Sequence, residues 1–133
     1  MTAAAWRPQS LHEVSVRVND GQQPFDATLR EFLDFFYANK DLRSDALTRA
    51  PIPLDDLRDA YLAATAEHLA YCYQLAVPHW SDSWGRKLTR PFFAGGLESL
   101  KALLTVESPA SFRRRMLFVS KDALFRPRAN AGP

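Results

Sequence analysis

A single cysteine, Cys72, stands in the 133 residues, so no internal disulfide can form and a reducing, cytoplasmic setting is the expected location. No apolar run approaches the roughly 18 to 20 residues that span a bilayer. The first ten residues, Met1 to Ser10, lack the long apolar core of a secretory signal. Histidines number three, His12, His68 and His79, and with one cysteine they show no zinc spacing; no metal site is expected. Glycines number five, and the adjacent Gly95 and Gly96 lack the spaced glycines and the lysine of a phosphate loop. No cofactor is therefore expected. Internal repeats are also missing, as is any linker long enough to divide two domains.

What is present suits an ordinary folded chain. Apolar residues make up 47% and charged residues 24%, close to the globular average. At this length about two-thirds of the unfolded surface can be buried without staples. One helical domain over residues 10–126 is expected, with flexible ends at 1–9 and 127–133. The net charge of +2 conceals an asymmetry. Residues 1–100 carry ten Lys/Arg against thirteen Asp/Glu, a balance of −3, while residues 101–133 carry seven against two, a balance of +5. An acidic or polyanionic partner at the C-terminal end would match that distribution.

Periodicity and punctuation give the elements. Ser10 and Glu13 have capping-box spacing ahead of a short helix from Leu11 to about Val18, which Asn19-Asp20-Gly21 stops. Pro24 suits the first turn of the next helix. There Phe25, Leu29, Phe32, Leu33, Phe36 and Tyr37 recur at three- and four-residue steps, with Asp26, Arg30, Glu31 and Asp34 on the other side. A short helix over Asp41–Arg49 ends at Pro51 and Pro53. The longest helix is expected over Leu54–Leu75, with Leu54, Leu57, Tyr61, Ala64, His68, Cys72 and Leu75 along one side. Ser81–Thr89 reads as an irregular connection and Leu97–Val106 as a helix. Ser108-Pro109 reads as a cap and first residue of another helix. Leu117-Phe118-Val119 is β-prone, and Ser120 to Phe125 reads as a final turn. The expected fold is all-α: a bundle of five to seven helices around the helix at 54–75.

Two constellations invite a chemical reading. Glu67, His68 and Cys72 lie within six residues, and a thiol near a histidine can be activated as a nucleophile. An enzyme built on His68 and Cys72 ranks last, because Cys72 on a central helix suits a small apolar filler. Arg113, Arg114 and Arg115 are the stronger candidates, since three adjacent guanidiniums repel unless carboxylates or phosphates compensate. Internal pairing with Glu98 or Glu107 is the plain alternative. Otherwise Arg113, Arg114, Arg115, Lys121 and Arg126 form a partner-binding surface, and Trp80, Trp84, Phe92 and Phe93 offer aromatic contacts nearby. A protein partner fits better than nucleic acid, which usually brings more charge and a reading helix. Nucleic-acid binding through Arg113–Arg115 is the alternative. No membrane partner is expected, and the oligomeric state is left open.

Four blocks taken together, Leu29–Tyr37, Leu75–Trp80, Arg90–Lys101 and Glu107–Arg115, resemble a family of short, uncharacterised bacterial proteins. Its marks are an early Leu-Asp-x-Phe-Tyr block and a late Glu-Ser-Pro-x-x-Phe-Arg-Arg-Arg block, and the likeness covers most of residues 10–128. The resemblance implies a bacterial accessory protein, associated with loci that encode helix-turn-helix regulators and nucleotidyltransferase-like proteins. Such loci behave as toxin–antitoxin modules, so an antitoxin-like, non-catalytic role is implied. Relatives carry an aspartate-rich stretch where this chain has Ser81–Thr89, so a ligand made by that loop is not carried over.

Overall fold

The computed structural model describes residues 6–83, 88–94 and 100–127. Among them the chain is all-α, with seven α-helices and one pair of two-residue strands. No helix of the described residues is long and apolar enough to cross a membrane. The chain packs as two compact units. One comprises the residues up to Leu54 together with the segment from Leu124 onward; the other is Asp55–Ala123.

The first unit holds α1 (Leu11–Asn19), α2 (Phe25–Ala38), a 3-10 turn (Lys40–Leu42) and α3 (Arg43–Thr48). Ser10 caps α1 by accepting the Glu13 amide at 3.0 Å. Glu13 does not close the expected box on Ser10; its carboxylate accepts the Gln9 amide at 3.0 Å instead. Gly21, at φ 74°, ends α1 in a Schellman turn, with Gly21 N–H donating to Val18 O and Gln22 N–H to Arg17 O. Helix α2 buries Leu29, Phe32, Leu33, Phe35 and Phe36. Its last carbonyls, on Phe36 and Tyr37, accept from the Arg43 guanidinium at 3.0 Å each, so the missing C-terminal cation arrives from α3. The proline segment after α3 is tied back to α1: the Ile52 amide donates to Ser15 Oγ, and His12 Nδ1 lies 2.9 Å from Ala50 O.

Asp34 departs from the amphipathic reading of α2. It is buried, and its carboxylate takes Arg126 Nε at 2.8 Å and Nη2 at 3.4 Å. One helical turn on, the Tyr37 hydroxyl donates to Leu124 O. The last described segment is thereby fastened to α2. Arg126, expected on the partner-binding surface, is held by Asp34.

The second unit is built on α4 (Asp56–Cys72), with α5 (Trp80–Ser83), α6 (Lys101–Glu107), α7 (Ala110–Arg113), β1 (Phe92–Phe93) and β2 (Leu117–Phe118). Asp55 caps α4 by accepting the Arg58 amide at 2.8 Å. The buried positions of α4 run consecutively from Leu62 to Glu67, with Ala60, Leu69 and Ala70 beside them. Leu57 and Cys72, expected on the inner face, are exposed. Five alanines in this stretch let neighbouring chain approach all round, so a face assigned from the large side chains alone is misplaced. Helix α4 ends at Gln74, a non-glycine residue at φ 58°, with Leu75 N–H donating to Ala70 O.

The connection after Trp80 was expected to be irregular, yet it begins with the turn of helix α5. Strands β1 and β2 run parallel, Phe92 against Leu117 and Phe93 against Phe118, and the Phe93 and Phe118 rings stack at 4.8 Å. Ser108 is not a side-chain cap for α7. Its hydroxyl lies 2.6 Å from Leu104 O and 2.8 Å from Val119 O, and it accepts the Val119 amide at 2.7 Å. A fully buried Phe112 packs edge-on against Tyr61 at 5.2 Å and against His68 at 6.2 Å.

Candidate functional site

A carboxylate inside a run of buried alanines and leucines needs a compensating cation, because an isolated buried charge is very costly. Glu67 occupies that position on α4, and its side chain is only 3% exposed. Arg115 supplies the cation. Its guanidinium, 2% exposed, meets Glu67 Oε1 at 2.5 Å through Nη1 and donates to Ser111 O at 2.8 Å and Ser81 O at 3.1 Å. The chain reaches this place by a sharp turn. Arg115 N–H donates to Phe112 O, and Met116 then takes φ 64°, the left-handed region. Met116 O in turn accepts from Phe92 N–H, which joins the turn to β1.

Arg114 approaches the same carboxylate from the solvent side. Its Nη2 lies 2.5 Å from Glu67 Oε2 and 3.5 Å from Asp82 Oδ1, and its side chain is 49% exposed. Asp82, on α5, is 82% exposed and lies 3.8 Å from Arg115 as well. The Tyr71 hydroxyl, one turn along α4, donates to Glu67 Oε2 at 3.4 Å. Together with His79 and Ser81 these groups border an open pocket of about 330 Å³, whose apolar wall is Val77 and Pro78.

The three arginines therefore have three fates. Arg115 is inside and belongs to no contact surface, a correction to its place among partner-binding residues. Arg114 stands half out of the pocket. Arg113 is exposed, with Nη1 at 3.4 Å from Val106 O. Lys121 is exposed too, its amide donating to Glu107 Oε1 at 3.3 Å. Glu107, a suggested carboxylate for the arginines, thus meets the backbone of Lys121; Glu98, the other, lies outside the described residues. The carboxylate that holds Arg114 and Arg115 is Glu67. Its signal in the sequence was an acid flanked by Ala64, Thr65, Ala66 and Leu69, where no solvated carboxylate belongs.

The described aromatic candidates differ in exposure. Trp80 is buried, while Trp84 lies outside the described residues. Phe92 is partly exposed, and Phe93 is covered by the Phe118 ring and by the Lys101 ammonium, 5.2 Å from its centroid. His68 Nε2 and Cys72 Sγ are 3.5 Å apart. Burial lowers the His68 pKa and raises that of Cys72, so both favour the neutral forms. A nucleophilic thiolate beside an imidazolium needs the opposite shifts. Among the described residues no group of three or more His, Cys, Asp or Glu is placed to hold a metal ion.

No protein-family model, curated protein or solved structure matches the chain.

Proposed function

We propose that the chain is a non-catalytic interaction protein that docks an acidic, partly apolar segment of a protein partner. The docking surface is the outer side of α6 with the exposed ends of α7 and of the turn after β2. One observation carries the reading: Val106 and Leu103, on the described part of α6, are 76% and 54% exposed, and the Arg113 guanidinium reaches Val106 O. Covering such side chains contributes about 1.5 to 3 kcal/mol each. Arg113 and Lys121 add positive charge, which steers an acidic partner and sets its orientation more than it adds affinity. The +5 balance of residues 101–133 has the same sign. An antitoxin-like role, implied by the resemblance to the bacterial accessory family, is one form of this docking, with a toxin as the partner held inactive.

The test begins with the tagged chain in its host. A co-purifying protein is identified, purified separately and rebound at about 0.15 M salt, where exposed charges are screened beyond roughly 8 Å. Val106→Asp and the pair Arg113→Glu with Lys121→Glu are expected to weaken rebinding at least about tenfold, as loss of a central contact does. A partner indifferent to both, or none that rebinds, removes the reading. Nucleic-acid binding by the same arginines has only Arg113 and half of Arg114 to work with. It would show as affinity falling steeply with salt, and protein docking predicts no such slope on DNA or RNA.

A further inference from the structure

We infer that the pocket beside Arg114 is a binding site for a small oxyanion, a carboxylate or phosphate monoester carried on a compact apolar body. At about 330 Å³ the pocket is metabolite-sized, near the lower end of the roughly 300 to 1,000 Å³ that ligand sites occupy. Its charge is unbalanced at one point. The two oxygens of Glu67 serve two guanidiniums, Oε1 taking Arg115 and Oε2 taking Arg114. The second carboxylate, Asp82, is 82% exposed and stays at 3.5 and 3.8 Å from them, so it neutralises weakly. Arg114 is therefore only partly neutralised where it borders the pocket.

That charge is also held in place. Arg114 is anchored by a carboxylate that is itself fixed by buried Arg115, so little orientational freedom is lost when a ligand arrives. Among the described residues the contacts of Arg114 run through Nη2, leaving the donors on Nη1 and Nε, each of which can reach one oxygen of an anion. His79 lines the same wall, and Val77 and Pro78 meet the apolar body of the ligand. A cation fits poorly, because among the described residues the buried carboxylate at the pocket, Glu67, is already shared by two arginines. The site is separate from the docking surface on α6, and neither reading rests on the other.

The test uses the full chain and four probes: acetate, inorganic phosphate, benzoate and phenyl phosphate, with chloride holding ionic strength at about 0.15 M. Titration calorimetry or amide chemical shifts are expected to show saturable binding of benzoate or phenyl phosphate with a Kd of about 1 mM. The aromatic probes bind tighter than acetate and phosphate, and whichever of the two binds tighter assigns the head group. Arg114→Gln is expected to weaken binding at least about tenfold through loss of a charged hydrogen bond. Asp82→Asn is expected to tighten it by up to about fivefold, since a carboxylate bordering the pocket no longer repels the anion. Arg113→Gln removes the same charge away from the pocket and leaves affinity unchanged. Should Arg114→Gln fail to fold, the gain from Asp82→Asn decides alone. Absence of saturable binding, or equal losses in Arg113→Gln and Arg114→Gln, overturns the site.

Discussion

Glu67 and Arg115, separated by 48 positions in the chain, form an ion pair in which both side chains are almost wholly buried. The pair ties the middle of α4 to the turn that follows α7, and Ser81 O and Ser111 O take further donors of the same guanidinium.

Breaking one side of such a pair strands the other charge. Glu67→Ala is expected to destabilise the chain by about 3 to 5 kcal/mol, because Arg115 is left uncompensated. Urea unfolding measures this as a fall in midpoint at constant slope. The double variant Glu67→Ala with Arg115→Met should recover part of the loss, and the cycle completed by Arg115→Met alone should give a coupling well above the roughly 0.5 kcal/mol scatter of independent sites. Strict additivity would mean that the two groups do not meet.

Arg126 fastens the last described segment to Asp34. Because the arginine is partly exposed, Arg126→Ala is expected to cost about 1.5 to 3 kcal/mol, the range for a hydrogen bond to a charged group. Limited proteolysis should then cut more readily after Ala123. An unchanged cleavage rate would show that Asp34 does not restrain this segment.

Gln74 sits in left-handed backbone at the end of α4, where glycine carries no steric cost. Gln74→Gly is therefore expected to stabilise by about 0.5 to 1 kcal/mol. A loss of stability would place the turn elsewhere.

His68 has its pKa lowered by burial. Between the ordinary value of about 6.5 and the lower folded value, the unfolded chain binds a proton that the folded chain refuses. This contribution is fully present above pH 6.5 or so, declines as pH falls through that window and levels off beneath it. His68→Gln should flatten the same part of the urea midpoint against pH; an unaltered curve assigns the acid sensitivity to other groups.

Cys72 is exposed, but its pKa is raised by burial of part of the thiol environment. Iodoacetamide should alkylate it, with a pH midpoint above that of a free thiol and no acceleration at neutral pH. Faster reaction than free cysteine at pH 7 would revive the nucleophile reading of His68 and Cys72.

Much of the helical layout was legible because local chemistry marks it. Ser10, Gly21, Pro24, Asp55 and Pro109 all stand at or beside helix ends. Local marks failed where distant partners decided. Asp34 looked solvated because its cation is 92 positions away, and Arg115 looked exposed because its carboxylate lies on another helix. Ser108 looked like a cap, yet its hydroxyl joins the end of α6 to the chain after β2. Face assignment on α4 failed for a related reason, since small side chains make burial depend on neighbours rather than on the helix's own pattern. The pocket was illegible because α5, α7 and α4 must meet before its wall exists.

The Tyr37–Leu124 and Asp34–Arg126 fastenings bear on the order in which a growing chain matures. Residues 124–126 leave the ribosome after all of Asp55–Ala123, so α2 waits with an unmatched acid while the whole intervening unit is translated. Completion of the first unit is therefore delayed until synthesis has passed Arg126, and a ribosome stalled short of that residue holds a chain whose opening helices lack their final clasp.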